Sequence, residues 1–211
     1  MSARDRTRTR GLSRRSFLRS AGGAAASTAV VGVPVFVRAD EPANGKRAGV
    51  RKFPAAGQTI SLTVNGQSKP VTVTPATTLL AALREQCGLT GCKEVCDRGA
   101  CGACTVLVDG KSVNSCLMLA VDAVGTQITT VEGLAKDGRL DPVQQAFADC
   151  DACQCGYCIP GFVVRSRALL DETPSPDSNQ IRHGLAGNIC RCAAYNKIFE
   201  AVEKASKGGA A

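Results

Sequence analysis

The placement of cysteine constrains this chain more than any other feature. Twelve of its 211 residues are cysteine, against one histidine, no tryptophan and few aromatics. Eight of the twelve fall into close groups: Cys96, Cys101 and Cys104, with Cys116 further on; Cys155 and Cys158; Cys190 and Cys192. A fold built on such groups must bring thiols together on short loops, and any bound group there leans on thiolate. The apolar share of 44% permits real cores, and the length suits one ordinary domain or two small ones.

Cys96, Cys101 and Cys104 are spaced C-x4-C-x2-C, the plant-type ferredoxin spacing for a [2Fe–2S] cluster. One short loop wraps the cluster with three thiolates and several N–H groups, and Cys116 closes the second iron. Gly99 and Gly102 let the backbone approach. Cys155 and Cys158 precede one expected helix, and Cys190 and Cys192 precede another. Helix starts favour thiolate charge, so a second anionic cluster suits these four. Two other readings stand beside this one. C-x2-C pairs bind structural zinc, although a nine-residue loop with three cysteines fits a cluster better than a zinc tetrahedron. An exported chain with an even cysteine count can be a disulfide scaffold, although a chain able to fill apolar cores does not need such staples.

The net charge of +8 would suggest nucleic acid if it were spread along the chain. Residues 1–39 hold eight of the 26 basic residues and only one of the 18 acids, leaving 18 and 17 for the rest. The nucleic-acid reading thereby loses its support. The basic start is followed by an uncharged small and apolar run over 21–37, too short and glycine-rich for a stable membrane span. This is the pattern of a signal peptide. The stretch Ser13-Arg14-Arg15-Ser16-Phe17-Leu18-Arg19 is similar to the twin-arginine export motif, which implies a periplasmic protein exported already folded. Cleavage is expected after Ala39, with Ala43 as the other position, and 40–56 reads as a linker.

Ile60, Leu62 and Val64 alternate with polar residues, Asn65-Gly66 turns the chain, and Val71 and Val73 resume the alternation, which predicts a hairpin. Thr77 and Thr78 cap a helix carrying Leu79, Leu80 and Leu83. A second hairpin is expected over 105–115 and a last strand over 128–131. Beyond Gly133 the period changes to that of helices. They are expected from Asp141-Pro142 to about Asp149, from Pro160 to Leu170, to about Ala186 with Gly187 ending it, and around Ile198, Ala201, Val202 and Ala205. The fold class is therefore α+β, a small α+β domain over 57–134 followed by an all-α four-helix bundle over 135–211.

These motifs lie in order within Leu83-Arg84-Glu85, Gly88-Leu89-Thr90-Gly91, the loop over 96–105, Val113-Asn114-Ser115-Cys116, Thr129-Thr130-Val131-Glu132-Gly133, Gln154-Cys155-Gly156-Tyr157-Cys158 and Gly187-Asn188-Ile189-Cys190-Arg191-Cys192. The chain from about 58 to 205 resembles the iron–sulfur subunit of the xanthine dehydrogenase and aldehyde oxidoreductase family of molybdenum hydroxylases. The twin-arginine start makes it most similar to small subunits of periplasmic aldehyde oxidoreductases, and next to those of isoquinoline oxidoreductases. The resemblance implies a ferredoxin-like β-grasp domain with a distal cluster on Cys96, Cys101, Cys104 and Cys116. It implies a helical domain with a proximal cluster on Cys155, Cys158, Cys190 and Cys192. Gln154 and Cys192 would lie nearest the molybdopterin, of the cytosine dinucleotide type, in a large partner subunit. This chain would pass electrons on to an FAD-binding subunit or a c-type cytochrome and perform no bond chemistry itself. The alternatives are an N-heterocycle as the complex's substrate, or a stand-alone exported ferredoxin or metal-binding protein.

The chain departs from the family pattern at Val95 and Ala193, where glycines are common. Cys87, Cys92, Cys150 and Cys153 are surplus to the eight and read either as small buried side chains or as a disulfide or redox pair. His183 reads as a surface or core residue rather than a ligand.

Overall fold

The computed structural model describes residues 53–208. The export motif, the cleavage site and all of the linker before residue 53 lie outside the described residues. Strands β1 (Gln58–Val64) and β2 (Gln67–Val73) form an antiparallel hairpin. Asn65 and Gly66 both adopt positive φ, +53° and +76°, giving the turn twist that such hairpins favour. Ile60, Leu62, Val64, Val71 and Val73 face the core. Thr59 meets Thr72 and Ser61 meets Ser68 at 2.7 Å on the outer face.

Helix α1 (Leu79–Ala81) is one turn, capped by the Thr78 hydroxyl, which accepts from Ala81 N–H at 3.2 Å. It widens into a π-helical turn over Ala82–Gln86. Its end is pinned by Gln86, whose amide donates to Thr72 O at 2.8 Å and accepts from Thr72 N–H at 2.7 Å. One side chain thus stands in for a strand neighbour along the edge strand β2. β3 (Thr105–Val108) and β4 (Lys111–Asn114) form the second hairpin, and β5 (Gln127–Thr129) completes a mixed sheet of order β2-β1-β5-β3-β4. β5 runs parallel to β1 and antiparallel to β3. The expected strand over 128–131 ends early, and Val131–Gly133 forms a 3-10 turn. The reason is Asn65, whose side-chain oxygen accepts from Thr130 N–H at 2.9 Å while its amide donates to Thr130 Oγ1 at 3.0 Å. The ladder loses its next residue to this side chain.

Helices α2 (Pro142–Asp149), α3 (Ile159–Glu172), α4 (Ser178–Gly184) and α5 (Tyr195–Gly208) follow. Asp141 with Gln144, and Asp177 with Gln180, form capping boxes. α4 stops at Gly184 rather than at Ala186, because the Ala186 N–H bonds three residues back, to His183 O at 3.3 Å, instead of four. A four-helix bundle was the expectation; the described residues contain five α-helices, with α1 on the sheet and α2 to α5 around a separate apolar cluster. No helix among the described residues is long and apolar enough to cross a membrane.

The two cores share a wall. All four residues of β3 are buried. Val106 and Val108 point into the sheet core, and Leu107 points into the helical core. Two-residue alternation thus leaves no face of β3 for water, and α3 packs directly on it. This contact brings the cysteine loops of the two parts together.

Candidate metal centre

The loop over 96–104 has no regular structure. Gly102 sits at φ +68°, and a Cβ there would lie 2.6 Å from both Asn188 Nδ2 and Gly187 O, so only glycine fits. The loop returns through β3 and β4 to Cys116. Ser115 Oγ donates to Cys104 O at 2.7 Å, and Asn114 Nδ2 to Gly99 O at 3.1 Å, which seats Cys116 beside Cys104. Cys116 Sγ accepts from Gly99 N–H at 3.3 Å. Cys104 and Cys116 are buried, Cys96 and Cys101 half-buried.

Thiols pair within this set, Cys96 with Cys101 and Cys104 with Cys116. Backbone N–H of Arg98 is the main cause that draws Cys96 down to about 7, against an opposing burial effect; the Cys101 thiol and the N–H groups of Ala100 and Cys101 add to it. Burial, then the bond shared with Cys104, pushes Cys116 up to about 11. A loop of N–H donors aimed at sulfur is what an anionic sulfur cluster requires.

Cys158 forms the N-cap of α3, with Cys155 three residues before it. Cys190 is buried and accepts at Sγ from Ala194 N–H at 3.4 Å. The four again form pairs, Cys155 with Cys192 and Cys158 with Cys190. Tyr157 N–H, then the Cys192 thiol, lowers Cys155. Burial, then the bond shared with Cys190, raises Cys158 to about 12. Gln154 is exposed beside Cys155, so the Cys155–Cys192 contact puts Gln154 and Cys192 in one neighbourhood.

Ile189 N–H donates to Cys101 O at 2.9 Å, and Asn188 Nδ2 to Gly102 O at 2.9 Å. Gly161 on α3 meets the same loop; a Cβ there would strike Gly102 O and lie 3.1 Å from Ala103 Cα. Between the sets lies an apolar concavity of about 300 Å³, lined by Val95, Cys101, Ala103, Cys155, Tyr157 and Ile189 among others.

Each set therefore offers four thiols as two pairs. A [2Fe–2S] rhomb has two irons, each taking two cysteines, so the donor chemistry fits it. Among the described residues, no three His, Cys, Asp or Glu side chains converge as a single metal ion would need. None of the twelve cysteines is in a disulfide.

Residues 62–135 match the family model of a 2Fe-2S iron-sulfur cluster binding domain, and 130–203 match that of a [2Fe-2S] binding domain. The small FeS subunit of nicotinate dehydrogenase from Eubacterium barkeri is 46% identical over 147 residues, covering 70% of this chain and 94% of that one. The chain belongs to the iron–sulfur small subunits of the molybdenum hydroxylases. The iron-sulfur-binding subunit of an Escherichia coli aldehyde oxidoreductase is 44% identical to this small subunit over 162 residues, 70% of this chain and 71% of that one. Among solved structures, quinoline 2-oxidoreductase from Pseudomonas putida 86 has a chain that superposes with a TM-score of 0.69 at 41% identity, covering 72% of this small subunit and 95% of that chain. The aldehyde oxidoreductase of Desulfovibrio desulfuricans gives 0.67 and 40%, and the match spans 71% of this subunit but only 17% of that longer chain. The small subunit thus transfers electrons as part of an oxidoreductase.

The surplus thiols divide. Cys92 lies in the sheet core and bonds to Leu89 O at 3.3 Å; Cys150 closes α2 in the helical core. Cys87 packs at the edge of the sheet core, and Cys153 is exposed. His183 is exposed on α4. Two residues of the site have roles that the sequence alone does not assign: Asn188, there only one member of a motif, is a buried amide clamping the loop over 96–104, and the phenol of Tyr195 meets Cys190. A polar or phenolic residue within five positions of the C-x-C pair is the only hint they offer.

Proposed function

We propose that this small subunit carries two [2Fe–2S] clusters in series, a proximal one on Cys155, Cys158, Cys190 and Cys192 and a distal one on Cys96, Cys101, Cys104 and Cys116. A [2Fe–2S] cluster takes up and releases one electron at a time. Everything else is done by the protein: it holds the thiolates, aims N–H groups at sulfur and keeps the two loops in contact. The observation that carries this reading is the single hydrogen bond from Ile189 N–H to Cys101 O. It joins a residue adjacent to Cys190 to Cys101 itself, so one hydrogen bond completes a bonded path between the two sets.

In this reading electrons enter from the molybdopterin of a large subunit beside Gln154 and Cys192, pass to the distal set, and leave to an FAD-binding subunit or a c-type cytochrome. The two parts correspond to a β-grasp domain and a four-helix bundle. An aldehyde is the substrate we favour for the complex. The likeness to the iron-sulfur-binding subunit of the Escherichia coli aldehyde oxidoreductase and to the aldehyde oxidoreductase of Desulfovibrio desulfuricans supports this choice. The N-heterocycle reading follows from the nicotinate and quinoline enzymes and is the second candidate. The basic, twin-arginine start supports export to the periplasm, and Arg14→Lys together with Arg15→Lys should leave the protein in the cytoplasm on fractionation.

The order of the clusters is tested on the complex purified with its large subunit. With Cys104→Ser, substrate should still reduce the proximal cluster while turnover with the external acceptor stops. With Cys158→Ser, substrate should reduce neither. Reduction of the distal cluster in Cys158→Ser at the parent rate would reverse the order.

A further inference from the structure

One backbone donor in the proximal set points away from sulfur. Cys190 is buried, and its N–H donates to the phenol oxygen of Tyr195 at 2.9 Å. The chain between them bends through Ala193 at φ +61°, which folds the phenol at the start of α5 back over the Cys190 backbone. Tyr195 is itself held on two sides. Its ring lies edge-on to Phe162, 6.1 Å between centroids and 79° between planes, and 6.1 Å from Phe199. Phe162 stands one turn along α3 from Cys158, whose carbonyl accepts the Phe162 N–H at 3.2 Å. One ring therefore packs on the helix that carries Cys158 and bonds to the loop that carries Cys190.

N–H groups that donate to the sulfurs of an iron–sulfur cluster favour its reduced, more negative form and raise its potential. The bond to Tyr195 withdraws the Cys190 N–H from that role. We propose that Tyr195 is a positioning residue of the proximal cluster, fixing the Cys190 loop and holding this N–H dipole off the sulfurs so that the cluster's reduction potential stays low. A low proximal potential drives the electron onward to the distal set. The proposal rests on Cys190 and Cys158 being ligands of one cluster.

Tyr195→Phe removes one oxygen and keeps the ring. In a redox titration of the full complex followed by electron paramagnetic resonance, it should raise the proximal reduction equilibrium threefold or more, about 28 mV at 59 mV per tenfold, and leave the distal couple in place. Phe162→Leu disturbs the ring packing and spares the phenol; it should not produce this rise. Loss of proximal iron alone in Tyr195→Phe, with Phe162→Leu fully loaded, would also support a positioning role. An unchanged or lowered proximal potential in Tyr195→Phe, or the same rise in Phe162→Leu, overturns the proposal. Absence of a second cluster from the unmodified protein would instead contradict the ligand assignment.

Discussion

Ala193 shows how a single residue carries a cost that the family pattern usually avoids. It follows the last proximal cysteine at φ +61°, a left-handed conformation where an L side chain is strained. The other non-glycine residues at positive φ are Asn or Asp, which tolerate it better. Ala193→Gly should therefore stabilise the protein by about 0.5–1 kcal/mol after the added unfolded-state entropy of glycine, read as a higher urea midpoint. An equal or lower midpoint would contradict the strain. Cys92 carries a pH signature. Burial, with Glu132 adding to it, raises its thiol from 9.0 to about 11. The folded state thus binds the proton more tightly than the unfolded one. That contribution is complete below pH 9 and is lost as the pH rises to 11, a change on the order of 3 kcal/mol. Cys92→Ala should be the less stable protein at pH 8, and the gap should narrow or reverse by pH 10.5; a constant gap would contradict the assignment.

At the scale of elements, what the sequence discloses is what is local. The hairpin at Asn65-Gly66, the second hairpin within 105–115 and the helix start at Asp141 depend on residues a few positions apart, and all lie where spacing and turn chemistry put them. The eight clustered cysteines are legible for the same reason. The early end of β5 depends on Asn65, 65 residues before Thr130, and the loop clamp depends on Asn188, 86 residues after Gly102. No window of sequence contains such pairs. Asn188→Ala removes its bonds to Gly102 O and Thr105 Oγ1, both buried. It should cost about 2 kcal/mol in unfolding by urea; a cost below about 0.5 kcal/mol would mean that the clamp adds nothing to the packing of α3 on β3.

For the whole molecule, two short cores are made to act as one by β3, whose alternate side chains enter both. This shared wall sets the loop over 96–104 against the start of α3 and the segment before Cys190, and it is why the two sets of thiols are joined by a hydrogen bond. The charge that makes the chain basic belongs to its first 39 residues. Electron transfer through two unlike centres is the central claim, and electron paramagnetic resonance of the reduced protein, with metal analysis, tests it most directly. The expected result is about four irons per chain and two distinct [2Fe–2S] signals of equal spin count, with Cys104→Ser removing only one and Cys158→Ser only the other. A single signal, or zinc in place of iron, would contradict it.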